Sequence, residues 1–100
     1  MIINRWLAPL TPSEEQIKSL FEKDGLEYFE ENFPVGTKIL EHRHPFDEIR
    51  MIVRGKILYN VSGNKFILRA GDKIIVPSNT LHSTEVSEVD CFSLCSYHIH

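Results

Sequence analysis

Residues 36–55 have the sequence GTKILEHRHPFDEIRMIVRG. His42 and His44 are two residues apart, so on an extended strand both imidazole rings project from the same face. The segment Pro45–Asp47 can turn the chain, and Glu48 then lies at the start of a second strand. Two imidazoles and one carboxylate therefore converge within a single hairpin, which is a combination that binds divalent transition metals.

A second stretch, residues 71–86, supplies a further histidine. Gly71 and Pro77 mark turns on either side of a short apolar strand, and His82 follows close to the start of the next strand. One such histidine alone would more often be a hydrogen-bonded core residue, but three imidazoles and a carboxylate together favour a metal site and disfavour Ca and Mg. We predict one divalent ion (Fe, Mn, Ni, Zn, Co or Cu) with the ligands His42, His44, Glu48 and His82.

The two stretches carry a family resemblance. Residues 36–55 fit the pattern G-x5-H-x-H-x3-E-x6-G, the first motif of the cupin superfamily, at every specified position. Residues 71–86 resemble the second cupin motif, G-x5-P-x-G-x2-H-x3-N, except that Asn79 replaces its second glycine and Val86 its closing asparagine. Asn tolerates the left-handed backbone that this turn needs. The resemblance implies an all-β, double-stranded β-helix (jelly-roll) barrel.

The rest of the chain suits that fold. After residue 25 the hydrophobic period is about two, and turn residues separate eight short segments, as in sandwiches and barrels. Thus residues 26–100 form the cupin barrel of a single domain, and residues 1–25 form an arm and a short helix. The predicted strands are 26–33, 37–42, 48–54, 56–61, 65–69, 73–77, 80–86 and 91–98.

Thr11 and Glu14 match a capping box, with Pro12 at the first helical position and Gly25 ending the helix. Its predicted apolar face carries Ile17, Leu20 and Phe21. The preceding arm, residues 1–10, holds more apolar side chains than so small a chain can cover. We therefore expect the arm to lie on the barrel or on a partner subunit, and we predict a homodimer.

Strand alternation places the side chains around the site. If Glu48 points into the barrel, then Arg50 and Ile52 do so too, and Leu40 lies below His42 on the neighbouring strand. Ile49, Met51 and Val53 then pack on the outside. A buried guanidinium must be paired, so Arg50 either braces the fold or anchors an anionic ligand.

Composition excludes several classes of function. The net charge of −3 provides no basic surface for nucleic acid. No apolar run approaches a membrane span, and the N-terminus lacks a signal-peptide pattern, so we expect a cytoplasmic protein. Cys91 and Cys95 lie about 13 Å apart along one strand and are expected to be reduced, packed thiols. His98 and His100 are expected to be solvated.

The leading hypothesis is a cupin whose open metal position binds a small polar or anionic ligand, with a metal-dependent dioxygenase as its catalytic form. Glu48-Ile49-Arg50 after the histidine pair resembles the metal strand of acireductone dioxygenases, whereas residues 44–49 resemble sugar-sensing cupin domains of bacterial regulators. Two alternatives therefore stay open: a non-catalytic sensor of a sugar-like small molecule, and a structural barrel that a metal stabilises.

Overall fold

The computed structural model describes residues 1–99, which form two antiparallel sheets and one short helix. The elements are β1 Ile2–Asn4, α1 Glu14–Lys23, β2 Phe29–Phe33, β3 Lys38–His42, β4 Asp47–Arg54, β5 Lys56–Val61, β6 Asn64–Arg69, β7 Lys73–Val76, β8 His82–Glu85 and β9 Cys91–His98. One sheet has the strand order β1-β7-β4-β9-β2 and the other β3-β8-β5-β6. The predicted all-β fold class is confirmed.

The main core lies between the two sheets. Alternate residues of each strand project into it, as the period of two requires. Cys91 belongs to this core, and both Cys91 and Cys95 are buried free thiols, as predicted. The other fully buried members of the core are Ile52, Ile57, Tyr59, Val61, Leu68, Ile74, Val76 and Val86.

The central strand β4 divides its side chains as the alternation predicts. Glu48, Arg50 and Ile52 are buried on the inner face. The alternate residues of β4 pack on the outer face against helix α1, which contributes Ile17 and Phe21 to a second apolar cluster. The β4 members of that cluster are Ile49, Met51 and Val53.

Helix α1 begins two residues later than predicted. Ser13 is the N-cap, and a capping box joins its side chain to the backbone of Gln16 and the Gln16 side chain to the Ser13 backbone. The predicted box of Thr11 and Glu14 is therefore wrong: Pro12 is buried beside Gly71, so the chain turns into the helix only after it. Leu20, predicted on the apolar face, is 43% exposed, because the helix packs through the residues at positions 17 and 21.

The arm contributes a strand that the sequence pattern did not predict. Ile2, Ile3 and Asn4 form β1, which pairs with β7 at the edge of the larger sheet. Residues 1–99 therefore hold nine strands rather than eight. No helix within these residues is long and apolar enough to cross a membrane.

Strand β3 departs from simple alternation. Its register against β8 shifts between Ile39 and His42, so three steps along β3 match two steps along β8. This bulge lets both Ile39 and His42 face the interior. Leu40 is consequently 81% exposed, and the prediction that it lies inside, below His42, is wrong. At the chain end, His98 is exposed as predicted, whereas the prediction for His100 lies outside the described residues.

Candidate metal centre

Three histidines, two from neighbouring strands and one from a loop, meet at one end of the barrel. His42 ends β3, His82 begins β8 directly opposite it, and His44 lies in the loop that leads to β4. One ring nitrogen of each histidine lies within 4.8 Å of the other two. The structure thus brings together three of the four residues predicted as metal ligands.

Each imidazole is oriented by a backbone carbonyl. The Nδ1 atoms of His42, His44 and His82 lie 2.8, 3.0 and 2.8 Å from the carbonyl oxygens of Leu40, Phe46 and Thr80, respectively. A carbonyl oxygen can only accept, so Nδ1 must carry the proton. The lone pair of each ring therefore resides on Nε2, and this is the tautomer in which histidine binds a metal with its other nitrogen held by the protein.

Two of these Nε2 atoms have no hydrogen-bond partner. Those of His44 and His82 are buried and make no hydrogen bond within residues 1–99, although a Glu48 oxygen lies near both. A buried acceptor without a partner costs roughly 1–3 kcal/mol, so a cluster of such atoms is unfavourable unless something binds them. A divalent cation can bind the Nε2 lone pairs that have no hydrogen-bond donor, and this set of donor atoms fits one.

Glu48 presents one oxygen to the histidines. Its Oε1 atom lies 3.4 Å from His44 Nε2 and 3.7 Å from His82 Nε2. Its Oε2 atom accepts a hydrogen bond from the Tyr59 hydroxyl and lies 3.4 Å from Arg50 Nε. Burial alone would raise the pKa of Glu48, but a hydrogen bond from the protonated form of His82, the charge of Arg50 and the Tyr59 hydroxyl outweigh it and lower that pKa to about 2. The carboxylate is therefore ionised, as a metal ligand must be.

Arg50 is buried beside the carboxylate and is paired within the protein. Its Nε donates to the Tyr59 hydroxyl at 2.7 Å, and one terminal nitrogen donates to Ser93 Oγ at 2.7 Å. The other terminal nitrogen forms an ion pair with Glu31 Oε1 at 2.7 Å. These contacts brace the inner wall, and the substrate-anchoring role of Arg50 stays a prediction.

The loops that carry the site are joined by backbone hydrogen bonds. Asn79 adopts the left-handed conformation expected of it, with φ of 60°, and its N–H donates to the carbonyl oxygen of His44 at 2.8 Å. The neighbouring Ser78 N–H donates to Asp47 Oδ1 at 2.8 Å. The turn of the second motif therefore holds the loop of the first, and this fixes the backbone of His44.

An aromatic wall, formed by Phe29, Phe46 and Tyr97, flanks the histidines. Phe46 stacks on His44 with ring centroids 4.1 Å apart and contacts Tyr97 at 4.3 Å. Tyr97 in turn contacts Phe29 at 5.1 Å in an edge-to-face arrangement. The stacked Phe46 restricts the rotation of the His44 ring. This wall could not be predicted from the sequence, because its members come from three separate segments.

The predicted ligands line a cavity of about 70 Å³ inside the barrel. Six further lining residues were not anticipated from the sequence: Glu31, Phe33, Ile39, Tyr59, Thr84 and Tyr97. Alternation from Glu48 could not reveal them, since they lie on other strands whose register was unknown. A larger cavity of about 150 Å³ lies under helix α1 on the far side of the five-stranded sheet, and it contains none of the predicted site residues.

Comparison with known proteins assigns the family. Residues 29–93, more than half of the chain, match the family described as Cupin domain. The chain belongs to the cupin superfamily. This cupin is 38% identical over 64 residues to an uncharacterised protein of Methanocaldococcus jannaschii, a match that covers 62% of the chain. The chain spans about half the length of that curated relative (51%).

Solved cupin structures share its architecture. A DMSP lyase from Ruegeria pomeroyi DSS-3 superposes with a TM-score of 0.67 at 26% identity, over 73% of this cupin and 38% of the lyase. A cupin protein from Bacteroides fragilis superposes with a TM-score of 0.64 at 23% identity, over 80% of this chain and 73% of that one. The latter likeness concerns the fold alone.

Proposed function

We propose that this cupin binds one divalent transition metal ion through the Nε2 atoms of His42, His44 and His82 and through Glu48 Oε1. The observation that carries the proposal is the convergence of three imidazole rings whose Nδ1 atoms already face carbonyl oxygens. In two of these rings, those of His44 and His82, the Nε2 atom is buried and makes no hydrogen bond. Four protein ligands leave coordination positions on the metal ion free for a small molecule in the adjoining cavity. A divalent ion in this site would act as a Lewis acid on an oxygen atom of that ligand.

Charge favours an anionic or strongly polar ligand. Glu31 and Glu48 contribute two negative charges to the cavity wall, and Arg50 contributes one positive charge. With a divalent ion the site would hold one positive charge in excess. Ions in a small and largely buried cavity are poorly screened, so this excess would attract a monoanion.

Catalysis and simple binding are two forms of this function. The likeness to a DMSP lyase at 26% identity favours a catalytic role over a purely structural barrel. Oxygen activation, as in a dioxygenase, is the other catalytic candidate, and a sugar-sensing role is the non-catalytic one. Oxygen uptake by metal-loaded protein with small organic acids would support the dioxygenase, whereas ligand binding without turnover would support the sensor.

The metal assignment is tested by elemental analysis of protein purified without chelator. Wild type should retain about one equivalent of metal, and a His42→Ala/His44→Ala double variant should retain almost none. His98→Ala removes an exposed histidine outside the cluster and is the matched control. Because the imidazoles must be neutral to bind, the affinity of wild type for the metal should fall as the pH is lowered. Equal metal content in wild type and the double variant would refute the proposal.

A further inference from the structure

The side-chain hydroxyl of Thr84 lies inside the cavity. Thr84 lies on β8 two residues after His82, is only 8% exposed, and lines the same cavity as the three histidines. Its Oγ1 atom is buried and has no hydrogen-bond partner within residues 1–99. The adjacent Tyr59 hydroxyl is no partner for it, since that group is engaged with Glu48 and Arg50. A buried hydroxyl without a partner lowers stability relative to a methyl group of the same shape.

The position of Thr84 suits contact with a molecule bound at the metal. Residues two apart on a strand face the same side and are separated by about 6.5 Å. A ligand oxygen coordinated beside His82 would therefore leave the far end of a short molecule near Thr84. Ile39, the register partner of Thr84, supplies an apolar wall next to this position.

The cavity volume limits the ligand. A cavity of about 150 Å³ is known to hold benzene, which has six heavy atoms. The cavity of about 70 Å³ in this cupin is less than half as large. By this comparison the ligand part that enters it has roughly three heavy atoms.

We infer that Thr84 determines specificity by hydrogen-bonding the second oxygen function of a small hydroxy or oxo acid whose carboxylate is bound at the metal. The inference rests on the proposed metal site and extends it, because it names both the ligand class and the residue that recognises it. Acetate and glycolate are suitable probes, since both are small and they differ by one hydroxyl group.

The test compares these two acids on Co²⁺-loaded wild type and on the Thr84→Val and Thr84→Ser variants, with visible absorption to follow binding. Glycolate should bind wild type more tightly than acetate. The dissociation constant of acetate divided by that of glycolate should fall about fivefold in Thr84→Val, as expected for the loss of one hydrogen bond. In Thr84→Ser this ratio should be the same as in wild type. Any direct chelation of cobalt by the glycolate hydroxyl would remain in all three proteins, so the change in ratio isolates residue 84.

Thermal unfolding separates recognition from a structural role. Without acid, Thr84→Val should melt at the same temperature as wild type or higher, because the substitution breaks no hydrogen bond within the protein. Ser83→Ala, on the opposite face of β8, is the control and should leave the ratio unchanged. An unchanged ratio in Thr84→Val, or no binding of either acid to cobalt-loaded protein, overturns this inference alone. Failure of wild type to bind Co²⁺ overturns the metal site as well.

Discussion

The Tyr59 hydroxyl donates a hydrogen bond to Glu48 Oε2, which leaves Glu48 Oε1 to face His44 and His82. Burial raises the pKa of Tyr59 well above its usual value, so the hydroxyl keeps its proton and acts as the donor. One oxygen of the carboxylate is thus occupied by the protein while the other points to the proposed metal position. Tyr59 therefore orients Glu48, although it does not belong to either cupin motif.

Tyr59→Phe should weaken metal binding without removing a ligand. The variant leaves Glu48 Oε2 with only the 3.4 Å contact to Arg50, so the carboxylate can rotate away. Loss of such a supporting group typically lowers metal affinity by about 10- to 100-fold, and we expect an effect near the lower end. Competition with a chromogenic chelator measures it. Tyr28→Phe, whose hydroxyl contacts Glu22 on the surface, should leave the affinity unchanged; equal effects of the two substitutions would contradict the prediction.

The sequence allowed the convergence of His42, His44 and Glu48 and the faces of β4 to be predicted, because both depend on short-range geometry. One hairpin carries His42, His44 and Glu48, and the alternation of side chains from Glu48 to Ile52 needs only an extended strand. These are local relationships that hold wherever the strand lies in the fold.

Contacts between distant strands could not be predicted in this way. The pairing of Arg50 with Glu31 and the position of Thr84 depend on strand register, which a bulge changes by one residue. Leu40 is the clearest case, because the bulge in β3 reverses its side. The edge strand β1 escaped prediction for another reason: three residues are too few to establish a period.

Arg50→Lys should lower stability. A lysine keeps the charge, but one ammonium group cannot replace contacts that three guanidinium nitrogens make with Tyr59, Ser93 and Glu31. We expect a loss of about 2 kcal/mol in the free energy of unfolding, measured by urea denaturation of metal-free protein. Arg54→Lys is the control on the same strand, since the Arg54 side chain is 67% exposed. Unchanged stability together with weaker binding of acetate to the metal-loaded variant would instead favour ligand anchoring.

Asp72 should make stability depend on pH. It accepts hydrogen bonds from Arg5 Nη1, Trp6 N and Arg69 N at 2.8, 2.9 and 3.0 Å, and thereby joins the arm to the turn before β7. Burial raises the pKa of Asp72, but these donors outweigh it and the net pKa is lowered. The stabilisation is therefore complete above the unfolded-state pKa of about 3.9 and is lost as the pH falls through the lower folded-state value.

Asp72→Asn removes this titration. Its melting temperature should lie below that of wild type at pH 7, and the difference should shrink as the pH falls below about 4. Melting curves at several pH values measure it, with Asp24→Asn at the end of helix α1 as the control. A constant difference between Asp72→Asn and wild type from pH 7 to pH 2 would show that the charge of Asp72 contributes nothing.

The arm provides the test of the predicted homodimer. Leu7 and Leu10 are 89% and 83% exposed. Both lie in a bend of the arm that is closed by a hydrogen bond from Trp6 Nε1 to the carbonyl oxygen of Leu10. Deleting residues 1–10 would also remove β1 from the sheet and would confuse assembly with folding. Point substitution is therefore preferable, because it changes the exposed apolar surface and leaves β1 in place.

We expect wild type at micromolar concentration to have about twice the chain mass of 11.6 kDa by light scattering. A Leu7→Ser/Leu10→Ser variant should be monomeric, because these two exposed leucines would be covered only in the dimer. Its melting curve at high dilution should be the same as that of wild type. Val35→Ser/Val89→Ser removes two other exposed apolar side chains, 51% and 46% exposed, and should remain dimeric. If the variant with both leucines replaced is still a dimer, the interface lies elsewhere. The next residue to replace would then be Leu40, which is 81% exposed on the outer face of the smaller sheet. A monomeric wild type would refute the prediction.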